Sequence, residues 1–288
     1  MTIIAGKTIL LTGASRGIGR FIARELAHKQ VTVIYIARSQ EGLDRVCSEI
    51  NALGGKVIGI PFDINNVEQL PILLQKIEQL VGSVDILINN AGIEIYKAFQ
   101  DYSLADIQSV LSINLLAAIE LTRLVLPNML SQGGGHIVNI ASLAGKKGHP
   151  YDSIYSASKA GLLMWADAVR QELDGSGVSI STLCPGYVSG NGLLADTGVP
   201  APSLAGISKP EDVAIAVVKA IEQNQAEVIV NGNIIMQNLT KLLLATEQFF
   251  PRFGDVVNQW LGVTMLNQMR IKSFNKREKS FKKSTLAR

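Results

Sequence analysis

The chain has 288 residues, 47% of them apolar and only 18% charged. That composition excludes a disordered polypeptide, which needs low hydrophobicity and high charge, and it supplies enough apolar surface for one large domain. The net charge of +3 hides an asymmetry: residues 270–288 hold eight basic side chains and one acid, so the first 269 residues are net acidic. Two cysteines, Cys47 and Cys184, are too few for a disulfide framework, and no Cys/His group has metal-ligand spacing. The N-terminus lacks the pattern of a signal peptide and no run of about 20 apolar residues occurs, so the expectation is a cytoplasmic protein.

Short runs rich in Ile, Val and Leu at 7–12, 31–37, 56–61, 84–89, 135–141, 178–183 and 227–230 read as strands buried on both faces. Helix-length stretches lie between them, near 17–29, 40–53, 66–81, 104–131, 153–174 and 210–223. This alternation predicts an α/β fold, a doubly wound parallel sheet of the Rossmann type with about seven strands. Residues 1–230 form that domain. Residues 231–288 read as an extension of two helices and a polar basic tail, with Phe253, Val256, Val257, Trp260 and Leu261 on one helical face.

The first strand runs into Thr12-Gly13-Ala14-Ser15-Arg16-Gly17-Ile18-Gly19 and then a helix. Glycines there permit a tight turn and bring backbone N–H groups to a pyrophosphate at the helix N-terminus. The second strand ends in Ala37-Arg38, where a carboxylate would bind the ribose 2′-hydroxyl of NAD. Arg38 and Arg16 instead suit the 2′-phosphate of NADP, through charge-assisted bonds. NADP(H) is the expected cofactor, and no metal is expected.

Further along come Asn89-Asn90-Ala91-Gly92 after the fourth strand, Ser142 after the fifth, and Tyr155-Ser156-Ala157-Ser158-Lys159 on a helix. Tyr155 and Lys159, at i and i+4, share one helix face. With the G-x-x-x-G-x-G turn, these motifs resemble the classical short-chain dehydrogenase/reductase family over about residues 7–230. The resemblance implies a catalytic set of Asn114, Ser142, Tyr155 and Lys159. It also implies cofactor contacts from Gly13, Ser15, Arg16, Gly17, Ile18, Gly19, Arg38, Asp63, Ile64, Asn90, Ala91, Gly92, Tyr155, Lys159, Pro185, Gly186 and Val188. Asp63 would meet the adenine amino group, and Asn114 would position a water in a proton relay. Gly190 stands where the family has a threonine that contacts the nicotinamide carboxamide; Ser189 or backbone groups are the candidate replacements.

The chemistry accounts for the residue types. A phenol titrates near pH 10, and a neighbouring ammonium lowers that value. Tyr155 is expected to be the general acid in carbonyl reduction and the base in alcohol oxidation, with Lys159 shifting it. Ser142, with Tyr155, would hold the substrate oxygen. Pocket walls are expected near 93–96, 143–151 and 187–206, the last a mobile lid. Leu193, Leu194, Val199 and Leu204 favour a lipophilic ketone or aldehyde. His149 reads as a surface loop residue and Cys184 as a small buried hydrophobe. The C-terminal helices read first as core packing followed by a solvated disordered end, with three further roles open: covering the pocket, oligomerisation, or peripheral contact with a membrane through the basic tail. The family resemblance implies a homodimer or homotetramer, and nothing suggests nucleic acid. The expected activity is NADP(H)-dependent interconversion of a carbonyl and a secondary alcohol. The alternative is an NADP-bound scaffold or sensor acting through the C-terminal surface.

Overall fold

The computed structural model describes residues 1–190 and 192–286, with side chains as far as Phe274. In chain order come β1 (Thr8–Thr12), α1 (Gly17–Ala27), β2 (Thr32–Ala37), α2 (Gln40–Ala52), β3 (Lys56–Pro61), α3 (Leu70–Val81) and β4 (Ile86–Asn89). Next, α4 (Leu104–Leu111) passes through a π-helical turn, Ser112–Leu116, into α5 (Ala117–Ser131). β5 (Gly135–Ile140), α6 (Ser153–Glu172) and β6 (Val178–Pro185) follow. The two-residue strands β7 (Tyr187–Val188) and β8 (Ile207–Ser208) bracket α7 (Leu193–Thr197). After α8 (Pro210–Gln223) and β9 (Glu227–Val230), the chain ends in α9 (Ile234–Phe249), α10 (Pro251–Trp260) and α11 (Val263–Leu286).

Seven strands form one parallel sheet in the order β3-β2-β1-β4-β5-β6-β9, as the sequence predicts. Side chains alternate between its faces. Ile9, Leu11, Val33, Tyr35, Ile86 and Ile88 pack under α1, α2 and α8, whereas Leu10, Ile34, Ile36, Leu87 and Ile137 face α3, α5 and α6. Both faces are covered, which is why the strands read as continuous apolar runs. The chain leaves β1 toward β2 and β3, then returns to place β4 on the other side of β1. That reversal opens a crevice beyond the carboxyl ends of β1 and β4, where α/β sheets bind ligands.

Two stretches differ from expectation. The rod from Leu104 to Ser131 has a mean hydropathy of 1.7 and is long and apolar enough, by length and composition alone, to cross a membrane. Val110, Ala117, Leu121, Val125 and Met129 on it are buried in the core, which accounts for its apolarity. The C-terminal extension holds three helices, not two. Gly262, at φ +75°, ends α10, and α11 runs through the segment expected as a polar tail. Its first turns are anchored: Val263, Asn267 and Arg270 are buried at helical spacing, so Arg270 is no tail charge. The side chains of Lys276, Arg277, Lys279, Lys282 and Lys283, and all of Arg288, lie outside the described residues, and with them the basic surface expected to meet a membrane.

His136 in β5 is fully buried, its ring nitrogens beside Thr2 Oγ1 (3.1 Å) and Ser181 Oγ (2.9 Å). Burial, with a contribution from the N-terminal ammonium, pushes its pKa down to about 4. Below the unfolded value near 6.5 the unfolded chain takes up a proton that the folded one refuses, so stability falls as pH drops toward 4. From pH 7 to pH 5 this residue should remove about 2 kcal/mol of unfolding free energy. Urea unfolding of wild type and His136→Gln at both pH values should show the loss shrinking by that amount in the variant.

Candidate active site

The site begins with a close approach between two chain segments. Gly13, at φ +70°, follows β1, and a Cβ placed on it would lie 2.8 Å from Ala91 Cα. At Gly19 a Cβ would come within 2.2 Å of Gly13 O. Asn90 Nδ2 donates to Thr12 O and Gly13 O at 3.0 and 3.1 Å. The buried Thr12 Oγ1 accepts from the backbone N–H groups of Asn90 and Ala91, both at 3.0 Å. The Asn90-Ala91-Gly92 segment and the glycine turn are therefore one bonded unit. Asn89, behind it, donates to Asn139 Oδ1 at 2.9 Å across the sheet.

A cavity of about 560 Å³ runs along this unit and onward past the ends of β5 and β6. Every residue expected to touch the cofactor lines it, apart from Gly19, which is buried beneath the turn. The cradle that a Cβ would fill, and the N-terminus of α1 above it, fit a dinucleotide pyrophosphate. Arg38 is exposed at the rim beside Ala37. Arg16 Nη1 pairs with Asp196 Oδ2 of α7 at 2.6 Å, which ties the turn to the segment expected as a lid. Gly190 has φ +80°, a conformation that a β-branched residue rarely adopts, so a threonine would be strained here. Ser189 Oγ donates to Ser208 O at 3.2 Å, which occupies the hydroxyl considered as the threonine's replacement.

The catalytic candidates converge at the ends of β4 and β5 and on α6. Ser142, Tyr155 and Lys159 line the cavity, while Asn114 stands behind Gly92. Asn114 sits in the π-helical turn, a distortion frequent at functional sites. Its Oδ1 accepts from Ile93 N at 2.8 Å, and its Nδ2 donates to Ile93 O at 2.9 Å and Ser158 Oγ at 3.0 Å. These bonds satisfy a buried amide that would otherwise be costly, and they fix the loop after β4. Lys159 Nζ donates to Ile140 O at 2.7 Å and lies 5.7 Å from the Tyr155 ring centre. Burial lowers Lys159 to about 8, against the pull of Glu94. Tyr155 is pushed well up, first by burial and then by the Glu94 carboxylate, with the Ser142 hydroxyl opposing them. The downward shift expected from Lys159 is not seen in this arrangement, where burial and the Glu94 charge set the direction. Cys184 is buried, as expected, and burial pushes its thiol up to about 12.

Motif reading missed a second group of polar side chains. Glu94 lines the cavity and its Oε1 accepts from Tyr96 OH at 2.6 Å. Asp152, almost fully buried at the start of α6, contacts Glu94, and no donor group of the described residues faces either of its oxygens. Burial and the Glu94 charge raise Asp152 well above the carboxylate range, and burial raises Glu94 too. Two carboxyls in contact resist double ionisation, and the Tyr96 hydroxyl favours Glu94 as the charged member of the pair. His149 is no surface residue: it lines the cavity, stacks on Tyr187 at 6.5 Å between ring centres, and is lowered by burial to about 4. The one sequence signal for Glu94 is a carboxylate between Ile93 and Ile95, placed directly after Asn90-Ala91-Gly92.

Thr12 offers a direct check of the join between β1 and β4. Thr12→Val keeps the shape but leaves two N–H groups without an acceptor, so unfolding free energy should fall by about 2–4 kcal/mol. A chemical denaturation curve for the variant would measure it, and a loss below the noise of the method would show that Oγ1 is dispensable.

The comparisons with known proteins agree with this geometry. A family model described as short chain dehydrogenase matches residues 7–196. "Ketoacyl reductase HetN" of Nostoc sp. (strain PCC 7120 / SAG 25.82 / UTEX 2576) is 59% identical over 270 residues, which covers 94% of this chain and 94% of that protein. A "3-oxoacyl-[acyl-carrier-protein] reductase" of Synechocystis sp. (strain ATCC 27184 / PCC 6803 / Kazusa) is 34% identical over 218 residues, or 74% of this chain and 88% of that one. A crystal structure of a metagenomic short-chain oxidoreductase in complex with NADP superposes with a TM-score of 0.70 at 30% identity, over 81% of this chain and 100% of the other. The chain thus belongs to the short-chain dehydrogenase family and is an oxidoreductase acting on carbonyl and alcohol groups.

Proposed function

We propose that this protein is an NADP(H)-dependent reductase of a β-ketoacyl thioester, with Tyr155 as the proton donor. The observation that carries the substrate reading is the continuity of the cavity. From Ser142 and Tyr155 it runs on between apolar side chains of the C-terminal helices, among them Met236, Leu239, Leu243, Trp260 and Leu261. A lipophilic acyl chain suits that gallery, and a polar sugar does not. The relatives named for ketoacyl and 3-oxoacyl reduction support the β-keto thioester within the broader class of lipophilic ketones and aldehydes. The C-terminal helices serve the enzyme in this reading, which leaves the scaffold alternative without a feature of its own. Leu116 in the π-helical turn between α4 and α5 and Met164 on α6 are exposed, which suits pairing of copies through those helices.

NADPH, when bound, supplies the hydride. Arg38 would hold its 2′-phosphate, and the glycine turn its pyrophosphate. Arg16 could add a second contact only by sharing itself with Asp196. Tyr155 and Ser142 both face the cavity, so the substrate oxygen would lie between their hydroxyls. As charge develops on that oxygen, Ser142 donates a hydrogen bond and Tyr155 donates the proton. The Tyr155 proton would then be replaced through Lys159 from the side of the loop that Asn114 holds. The high phenol pKa is compatible with this direction, since reduction needs the protonated form at the start.

NADPH oxidation with acetoacetyl thioesters and longer β-ketoacyl thioesters tests the reading. Turnover on simple ketones but on no thioester would restrict it to the broader class. Tyr155→Phe should lower kcat by about 10³-fold while NADPH still binds. Arg38→Ala should weaken NADPH by about tenfold and leave NADH unchanged. A larger loss for NADH would overturn the assignment of Arg38.

A further inference from the structure

α11 does more than cover the chain end. Arg270 is fully buried, and its guanidinium sits between two tyrosine rings of the cavity wall, 5.4 Å from the centre of Tyr96 and 5.5 Å from that of Tyr187. Nη2 donates to Pro200 O at 3.0 Å, and Nη1 donates to Asn267 Oδ1. The Nε–H has no partner among the described residues. Around it, the same helix fastens two segments of the substrate side, the loop before α6 and the end of α7. Asn267 Nδ2 donates to Pro150 O at 2.7 Å, Gln268 Nε2 to Tyr151 OH at 2.7 Å, and Ser273 Oγ to Thr197 O at 2.6 Å. Phe274 meets the Tyr96 ring at 6.2 Å.

A buried guanidinium is costly unless a negative charge balances it. No carboxylate among the described residues pairs directly with Arg270. The charge available is the Glu94–Asp152 pair, and its electrostatic coupling to Arg270 favours the ionised carboxylate. The groups facing this cluster come from every surrounding element: Glu94 and Tyr96 after β4, His149 after β5, Asp152, Tyr155 and Lys159 at the start of α6, and Tyr187 in β7. His149 is neutral at pH 7, and Lys159 is engaged with Ile140 O. Arg270 and Lys159 are thus the cations acting on Glu94, and Arg270 is the one outside the proposed catalytic set.

We propose that Arg270 is a positioning residue of the active site: it latches the α7 segment closed, braces the Tyr96 and Tyr187 walls, and holds the Glu94–Asp152 pair at one negative charge. In this arrangement the C-terminal extension is part of the catalytic unit. The charged Glu94 it maintains faces the cavity near Tyr155, so the site disfavours carbonyl substrates that bear a carboxylate and accepts neutral ones such as thioesters. That last point rests on the β-ketoacyl thioester reading; the latch does not.

The experiment compares wild type, Arg270→Met and Arg270→Lys in the full chain. With acetoacetyl-CoA as probe, Arg270→Met should raise KM by about tenfold, with NADPH affinity within about twofold of wild type. Loss of the cation makes the carboxyl pair easier to protonate, so the acidic limb of the kcat/KM profile should move to higher pH by about one unit. Arg270→Lys should restore the limb but not the KM, because an ammonium cannot form the planar fork. A purely structural role would not move the limb. Hydrogen exchange of the 193–200 amides, read without substrate, should quicken in Arg270→Met relative to the β1 amides. An unchanged KM, limb and exchange pattern in Arg270→Met overturns the proposal. If that variant does not fold, Asn267→Ala replaces it: faster exchange at 193–200 supports the latch, and unchanged exchange overturns it. Failure of wild type to reduce any thioester sinks the substrate reading alone, since the exchange experiment still decides the latch.

Discussion

The ends of β1 and β4 come together so closely that no side chain fits between them. Gly13 and Ala91 meet in backbone contact, and Thr12 and Asn90 bond the two segments through four hydrogen bonds. Because the chain reverses direction across the sheet at this point, the contact also forms the floor of the crevice. Everything that would touch the cofactor is measured from it: the α1 N-terminus on one side, Gly92 and the loop to Tyr96 on the other. Asn114 extends the same join. By bonding both backbone groups of Ile93, it carries the position of β4 onto α6 through Ser158.

Electrostatics on the catalytic side are dominated by desolvation. Tyr155 and Lys159 are each displaced away from the charged form by burial. A nearby ammonium would favour the phenolate, but Lys159 is turned toward Ile140 O and Glu94 adds negative potential. The result is a phenol that keeps its proton until something in the cavity needs it. An oxygen acquiring negative charge between Ser142 and Tyr155 is such a demand, and the dry surroundings strengthen its effect. Alcohol oxidation, which needs the phenolate first, works against the same displacement.

The fold and the placement of the candidate catalytic residues were legible in the sequence because each rests on a local rule. Strands covered on both faces must be apolar without interruption, a pyrophosphate turn must lack side chains, and a helical pair must be spaced i, i+4. All seven sheet strands and Ser142, Tyr155 and Lys159 appear where those rules put them. The misreadings share a cause. His149 and Arg270 are polar residues buried by tertiary contact, and polarity in a sequence pattern reads as surface. Arg270 was counted with the basic tail on charge alone. Its helix passed as polar because its buried positions, Asn267 and Arg270, are invisible to a hydropathy pattern.

That blind spot matters most in the C-terminal extension. α9 and α10 join the cavity through apolar residues, which sequence periodicity can find. α11 joins through hydrogen bonds to backbone oxygens at Pro150, Thr197 and Pro200, and through a cation between two rings. Such anchors are directional, and unlike apolar packing they hold a loop in one register. They also connect the 193–200 segment to both ends of the site, since α7 is tied to Arg16 at the glycine turn and to Ser273 of α11, and Pro200 just beyond it to Arg270 at the substrate wall.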